Sequence, residues 1–316
     1  MLELLRSAGW LRLHRLLSRR GVKPLALGGY AWLARHRHRL AALWRWPMPL
    51  GLGGLLLGLG LGALSEGFWM RMGSAAGGLW LFLKCVSWSQ AVRQGENRFL
   101  LSYLAWPGMD PRPFLKPGHR PRMPAPSLMA IALNFTAATG CLAAAAALPP
   151  TVQPWLGMAA LVFLLHFVLF HLCTRMYRRQ GFPVDRLMHA PWLSGSLAEF
   201  WGRRWNVAFR DAFAGFYHQV SRAWGRGPAV ASVFLISGFL HELVISWPVR
   251  QGYGGPTLYF LVQAAGWLAE DRWGRNAPPL LRRLWTWLLL LAPLGWLFHA
   301  PFREAVVNPW LKGLTQ

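Results

Sequence analysis

Long uninterrupted apolar runs are the feature that most constrains this chain. Stretches of roughly 17 to 22 residues, enough for a helix to cross a hydrocarbon core of about 30 Å, recur along the sequence. Hydrophobic residues make up 54% of the 316 positions and charged residues only 14%, too little polar surface for a soluble domain of this size. The sequence therefore predicts an all-α polytopic membrane protein with interfacial amphipathic helices. About seven spans are placed near residues 47–64, 73–90, 127–148, 154–174, 228–247, 256–270 and 284–300.

The distribution of basic residues predicts how these spans are oriented. With a cytoplasmic N-terminus, the segments outside the membrane contain only four of the 34 Lys and Arg residues, namely Arg71, Arg250, Arg303 and Lys312. This asymmetry follows the positive-inside rule. The net charge of +23 therefore indicates membrane topology, whereas a nucleic-acid partner would require an exposed basic face. The Ala, Leu, Gly, Arg and Trp bias is typical of a GC-rich bacterial source, so we expect a bacterial inner membrane.

Two regions are predicted. Residues 1–46 interleave Arg with Leu and Trp, which predicts an amphipathic segment on the anionic inner leaflet. This segment has no apolar core followed by a small-residue cleavage site, so no signal peptide is expected. Residues 47–316 form the predicted transmembrane domain.

Two long loops interrupt the spans, and loops of such length often carry function. Residues 91–126 are rich in proline, which predicts an extended segment rather than helix. Residues 175–227 differ, because after Asn206 apolar side chains recur at three- and four-residue spacing. That spacing predicts a helix with one apolar face, lying in the membrane interface or re-entering the bundle.

His241 is the first candidate for chemistry, because it lies deep in a predicted span with Ser237 one helical turn earlier on the same face. Shielding from water disfavours the imidazolium form, so the ring can act as a general base toward a hydroxyl. A histidine that only packs between helices is the alternative. Glu242 points about 100° away and is interpreted as structural. A zinc-protease motif is excluded because position 245 is Ile.

The segment before Asn206 is the second candidate. Arginine forks bind phosphates in a bidentate manner, so Arg203 and Arg204 are predicted to contact a phosphorylated acyl carrier; ordinary loop charges are the alternative. Asn206 is interpreted as a helix N-cap or as an amide that orients the reacting groups. The predicted substrate-binding residues are Trp201, Arg203, Arg204, Trp205, Ser237 and Gln263.

The remaining polar residues predict no metal site. His166 and His171 are five residues apart and so lie on different helix faces. The three cysteines, Cys85, Cys141 and Cys173, show neither zinc nor disulfide spacing and are interpreted as packing residues. Gln263 needs a hydrogen-bond partner within the bundle or its cavity.

Two segments together resemble the membrane-bound O-acyltransferase superfamily, and within it the wax synthase branch. Phe200-Trp201-Gly202-Arg203-Arg204-Trp205-Asn206 is similar to the Phe-Trp-x-Arg-Arg-Trp-Asn motif of that branch, and Ser237 to Leu243 is similar to its histidine motif. The resemblance implies a helix bundle around a tunnel, acyl-CoA from the cytoplasmic side as co-substrate with no bound cofactor, and a lipid alcohol arriving from the bilayer. It also implies that His241 is the catalytic base and that Asn206 assists at the thioester.

The function predicted is transfer of a long acyl chain from acyl-CoA to a hydrophobic alcohol, giving a wax ester, or next a triacylglycerol from diacylglycerol. Two alternatives stay open at this stage. One is a short-chain O-acetyltransferase for exported glycans, and the other is a proton-coupled transporter. No paired halves of the kind common in transporters are visible in the sequence.

Overall fold

A computed structural model describes residues 48–91, 99–115, 119–273 and 277–314, and within these ranges every regular element is helical. The predicted segment 1–46 lies outside the described residues. The helices are α1 (Met48–Leu64), α2 (Phe68–Ala91), α3 (Leu100–Ala105), α4 (Arg112–Leu115), α5 (Leu128–Ala147), α6 (Gln153–Val162), α7 (Phe170–Arg179), α8 (Leu197–Glu199), α9 (Val207–Trp224), α10 (Arg226–His241), α11 (Trp247–Val249), α12 (Gly255–Trp273), α13 (Pro279–Leu291), α14 (Leu294–Leu297) and α15 (Ala300–Leu314).

Each predicted span falls on a helix, so the all-α membrane fold is confirmed. Within the described ranges, four continuous helical stretches are long and apolar enough to cross a bilayer by themselves: Leu128–Ala147, Gln153–Arg179, Arg226–Val249 and Pro279–Leu297. α1 is apolar but shorter, and α2 and α12 carry more polar residues. The count of seven spans and their orientation therefore stay predictions.

The first two helices pack at very short range because glycines line their contact. A Cβ on Gly78 would lie 2.8 Å from the carbonyl oxygen of Gly54 and 3.3 Å from the Cα of Gly58. No larger residue fits such a backbone approach, which is how small residues bring membrane helices together. α1 and α2 thus form a tight pair at one side of the bundle.

The proline-rich loop is partly helical, which corrects the prediction of an extended segment. α3 and α4 lie within it, and their aromatic side chains join a buried cluster with residues of α2, α7 and α9. Burial of Tyr103, Trp106 and Phe114 outweighs the local proline bias. Residues 119–127 remain without helix, as predicted. The loop is therefore folded onto the bundle and borders the site described next.

The helix predicted after Asn206 is confirmed as α9, with its small and apolar residues Val207, Ala208, Ala212 and Val220 buried. It packs against α10, the helix that ends at His241. α10 in turn packs along α12. These three helices place the two sequence motifs side by side.

Candidate active site

A cavity of about 1480 Å³ lies between these helices and is lined by both motifs. Its wall is mostly aromatic and aliphatic, and polar groups are concentrated at a few positions. The predicted site residues that line the cavity are Trp201, Arg203, Trp205, Asn206, Ser237 and His241. Arg204 and Gln263 do not line it. Such a large apolar cavity with a few convergent polar groups is the usual form of a small-molecule site.

His241 is held in one orientation by the backbone of its own helix. Its Nδ1 lies 2.7 Å from the carbonyl oxygen of Ser237, and its ring packs 4.5 Å from the ring of Phe260. A carbonyl can only accept a hydrogen bond, so Nδ1 must carry the proton. In the neutral ring Nε2 then keeps a free lone pair. His241 is therefore set up to accept a proton from a group inside the cavity.

Glu242 has a structural role, in agreement with the sequence interpretation. Its Oε1 accepts hydrogen bonds from the backbone N–H of Gly254 at 3.0 Å and of Thr257 at 3.1 Å, and from the Thr257 hydroxyl at 2.9 Å. These groups lie at the start of α12, where a carboxylate is favoured. Glu242 thus fixes α12 against the helix that carries His241.

Asn206 occupies the N-cap position of α9, but its side chain makes no capping hydrogen bond. Its backbone is left-handed, with φ of 41°, a conformation that asparagine tolerates better than most residues. The preceding chain holds this strained residue, because Leu187 accepts a bond from the Val207 N–H and the Asn206 N–H donates to the sulfur of Met188. The amide therefore lines the cavity instead of capping the helix.

Arg204 is bound within the protein. Its guanidinium donates to Glu199 at 2.6 Å and to the carbonyl of His189 at 3.0 Å. Burial alone would raise the pKa of Glu199, but hydrogen bonds from the Gly195 N–H and Arg204 outweigh it, so this pKa is lowered. Arg204 thus links its own segment to Glu199 and to the backbone of His189. Its predicted contact with substrate stays a prediction.

Gln263 lies behind the cavity wall and is fully buried. Its Oε1 accepts from the indole N–H of Trp201 at 3.3 Å, and its amide nitrogen donates to the Leu289 carbonyl at 2.7 Å. The Gln263 amide thus has hydrogen-bond partners within the helix bundle, as expected from the sequence. Through these bonds Gln263 orients Trp201, whose ring lines the cavity.

Arginines surround the cavity at the side formed by the predicted cytoplasmic loops. They are Arg112, Arg122, Arg203, Arg210, Arg226 and Arg282, against the two carboxylates Glu199 and Asp211. Four of these arginines are ion-paired: Arg210 with Asp211 at 2.5 Å, Arg112 with Asp110 at 2.6 Å, Arg226 with Asp271 at 3.0 Å and Arg122 with Asp185 at 3.8 Å. The Arg203 guanidinium is exposed and makes no hydrogen bond to another described residue. This rim gives the cavity a net positive margin, which favours anionic ligands.

Among the described residues, three π-helical turns border the site, and no sequence pattern marks them. They span Phe163–Leu169, Phe200–Arg204 and Glu242–Ser246, and each widens a helix next to a cavity residue. Such turns are frequent at functional sites because they displace side chains from regular helical positions. The cavity is also lined by His166, Phe209 and Phe260, which the two sequence motifs do not include. For His166 a signal existed, since it is an ionisable residue within an apolar run.

The fold and this cavity define a class: an all-α integral membrane protein with a histidine that lines a large, mainly apolar cavity. Residues 184–262 match the membrane bound O-acyl transferase family, and this stretch contains both motifs and the segment that braces Asn206. The match confirms the resemblance to the membrane-bound O-acyltransferase superfamily and supports membrane O-acyltransferase activity. No curated protein matches the chain. The wax synthase branch stays a prediction.

Proposed function

We propose that this protein transfers a long acyl chain from acyl-CoA to a hydrophobic alcohol, forming a wax ester, with triacylglycerol as the next candidate product. The observation that carries the proposal is the orientation of His241. Its Nδ1–H is engaged by the Ser237 carbonyl, and its Nε2 is available inside an apolar cavity. A ring in this state can take the proton of a hydroxyl.

We propose a direct transfer, as the resemblance to the O-acyltransferase superfamily implies. His241 Nε2 removes the proton of the alcohol while the alcohol oxygen attacks the thioester carbonyl. The C–S bond then breaks, and the departing thiolate takes the proton from the imidazolium. The amide of Asn206 donates a hydrogen bond to the oxygen on which negative charge develops. Proton, acyl group and thiol are all accounted for without an acyl-enzyme.

The shape and charge of the cavity support the choice of substrates. Its volume of about 1480 Å³ exceeds the roughly 300–1,000 Å³ typical of small-molecule sites, which suits a long acyl chain. The arginine rim suits the phosphates of CoA, with Arg203 as the predicted contact because its guanidinium is exposed at the cavity. The rim arginines belong to loops that are predicted to lie on the cytoplasmic side, so the donor would enter from the cytoplasm. This orientation assumes a bacterial inner membrane and a cytoplasmic N-terminus.

The test is an acyl-transfer assay with membranes from an expressing host. Labelled long-chain acyl-CoA is offered with fatty alcohol, diacylglycerol or a sterol, and the lipid products are separated. We expect label in a new wax ester, with His241→Gln membranes as the matched background. Label only in triacylglycerol would move the acceptor to diacylglycerol. A parallel assay offers labelled acetyl-CoA with a glycan. Acetate on the glycan, with no acylated lipid from any acceptor, would support the alternative acetyltransferase and contradict this proposal.

A further inference from the structure

A second histidine faces the same cavity and has no role in the proposed reaction. His166 lies in the π-helical turn between α6 and α7 and lines the cavity. Its ring stacks on Trp205, with centroids 5.1 Å apart and planes 27° apart. Trp205 immediately precedes Asn206. His166 therefore borders the part of the cavity where the thioester is proposed to lie.

The chemistry of His166 parallels that of His241. Its Nδ1 lies 3.3 Å from the carbonyl oxygen of Val162, four residues earlier, so Nδ1 donates and Nε2 keeps its lone pair in the neutral ring. Nε2 makes no hydrogen bond to another described residue, although the atom belongs to a cavity-lining side chain. The aromatic rings that contact the imidazole are those of Trp205 and Phe170, with centroids 5.1 and 5.4 Å away. An acceptor placed among such groups lacks a donor.

The two imidazoles also lie at comparable depth in the predicted topology. His166 is thirteen residues from the end of its helix at Arg179, and His241 is fifteen residues from the start of its helix at Arg226. At about 1.5 Å per residue, both lie roughly 20 Å from the predicted inner ends. A substrate that reaches His241 from the inner side therefore passes the level of His166.

We propose that His166 Nε2 accepts a hydrogen bond from an N–H or O–H group of the bound substrate, other than the hydroxyl that reacts, and so positions the substrate along the cavity. The inference rests on the proposed function. The position beside Trp205 and Asn206 favours an amide N–H in the thiol arm of the acyl donor. A second hydroxyl on the acceptor offers the same chemistry. His166 is a positioning residue and takes no proton from the reacting alcohol.

The experiment uses His166→Phe, which keeps a ring against Trp205 but removes the acceptor, and His166→Gln, which supplies an acceptor oxygen without the ring. His171→Phe is the matched control, since His171 lies on the same helix but does not line the cavity. Steady-state kinetics are measured for both substrates, and equilibrium binding with a thioether analogue of acyl-CoA that cannot transfer its chain. We expect His166→Phe to raise the KM and Kd for the donor about 10-fold, the size of one lost hydrogen bond, with kcat within about threefold.

Each outcome separates the hypotheses. Recovery of donor affinity in His166→Gln, with His171→Phe unchanged, supports the inference. A rise confined to the KM for the acceptor also supports it and assigns the hydrogen bond to the acceptor. Kinetics and binding of His166→Phe equal to wild type would show that the ring only packs, and would overturn the inference alone. Wild-type protein that neither binds nor uses any acyl-CoA would contradict the proposed function and this inference with it.

Discussion

Lys84 and His241 are both ionisable residues within membrane helices, but their surroundings are opposite. Lys84 is fully buried, and its Nζ donates to the carbonyl oxygens of Tyr103 at 2.8 Å and Gly108 at 2.5 Å while lying 3.8 Å from the Tyr103 ring centroid. In His241 only Nδ1 is hydrogen-bonded to the backbone, and the side chain lines the cavity. The presence of an ionisable residue in a membrane helix is therefore not sufficient evidence of a functional role. The two residues differ in whether the side chain lines the cavity with a polar atom that is free to bind a ligand.

This comparison predicts that the two residues fail in different ways. His241→Gln should lower turnover by about 10³-fold, since a general base contributes roughly 10²–10⁴-fold. Its unfolding temperature in detergent should stay near that of wild type. The measurement is labelled acyl transfer by purified protein together with a thermal unfolding curve. Turnover close to wild type would place His241 with Lys84 among packing residues.

Asn206 sharpens the comparison because its backbone and its amide can be tested separately. Asn206→Gly removes the amide but accepts the positive φ without strain. We expect turnover to fall about 10²-fold, the scale of losing one oxyanion donor, with stability unchanged or slightly higher. Asn206→Ala should lose the same activity and also stability, because alanine disfavours this backbone. Full activity in Asn206→Gly would show that the residue serves only the turn.

Lys84→Met should have the reverse effect. It removes two hydrogen bonds from a charged donor and leaves the Gly108 carbonyl unsatisfied, while the Tyr103 carbonyl keeps the N–H of Trp106. The loss should lower the free energy of unfolding by about 2–4 kcal/mol. Activity per folded molecule should remain within a few-fold of wild type, since Lys84 does not line the cavity. Denaturant titration and acyl transfer measured on the same preparation check both halves. A folded but inactive Lys84→Met would refute the distinction.

Substitution of Glu242 should have the smallest effect on turnover. It tests whether a residue adjacent to His241 in sequence takes part in the chemistry or only supports the fold. Glu242→Ala removes the acceptor for three hydrogen bonds at the start of α12 and should cost about 1–3 kcal/mol of stability, with turnover reduced only a few-fold. Glu242→Gln keeps an acceptor oxygen and serves as the control. If Glu242→Gln abolished transfer at unchanged stability, Glu242 would belong to the chemistry.

Much of this arrangement could be predicted because it depends on local pattern. Apolar run length located the membrane helices, and helical periodicity found α9. The position of an isolated histidine in a span singled out His241, and the offset of about 100° between consecutive helix residues separated Glu242 from its ring. These features follow from neighbours within one helical turn.

The remainder depends on contacts between distant segments. Three examples are the bonding of Arg204 to Glu199 and His189, the hydrogen bond between Trp201 and Gln263, and the packing of Tyr103 of the proline-rich loop against the bundle. The π-helical turns have no sequence periodicity that would mark them. His166 could have been singled out as polar, but its place in the cavity needed the three-dimensional structure.

The state of the His241 ring is the most direct test of the account. Protein labelled with ¹⁵N-histidine and held in micelles at neutral pH can be studied by NMR, and His241→Gln identifies the signals of this side chain. We predict a protonated Nδ1 and an unprotonated Nε2. A ring protonated at Nε2, or at both nitrogens, could not take the proton of an alcohol and would contradict the proposed mechanism.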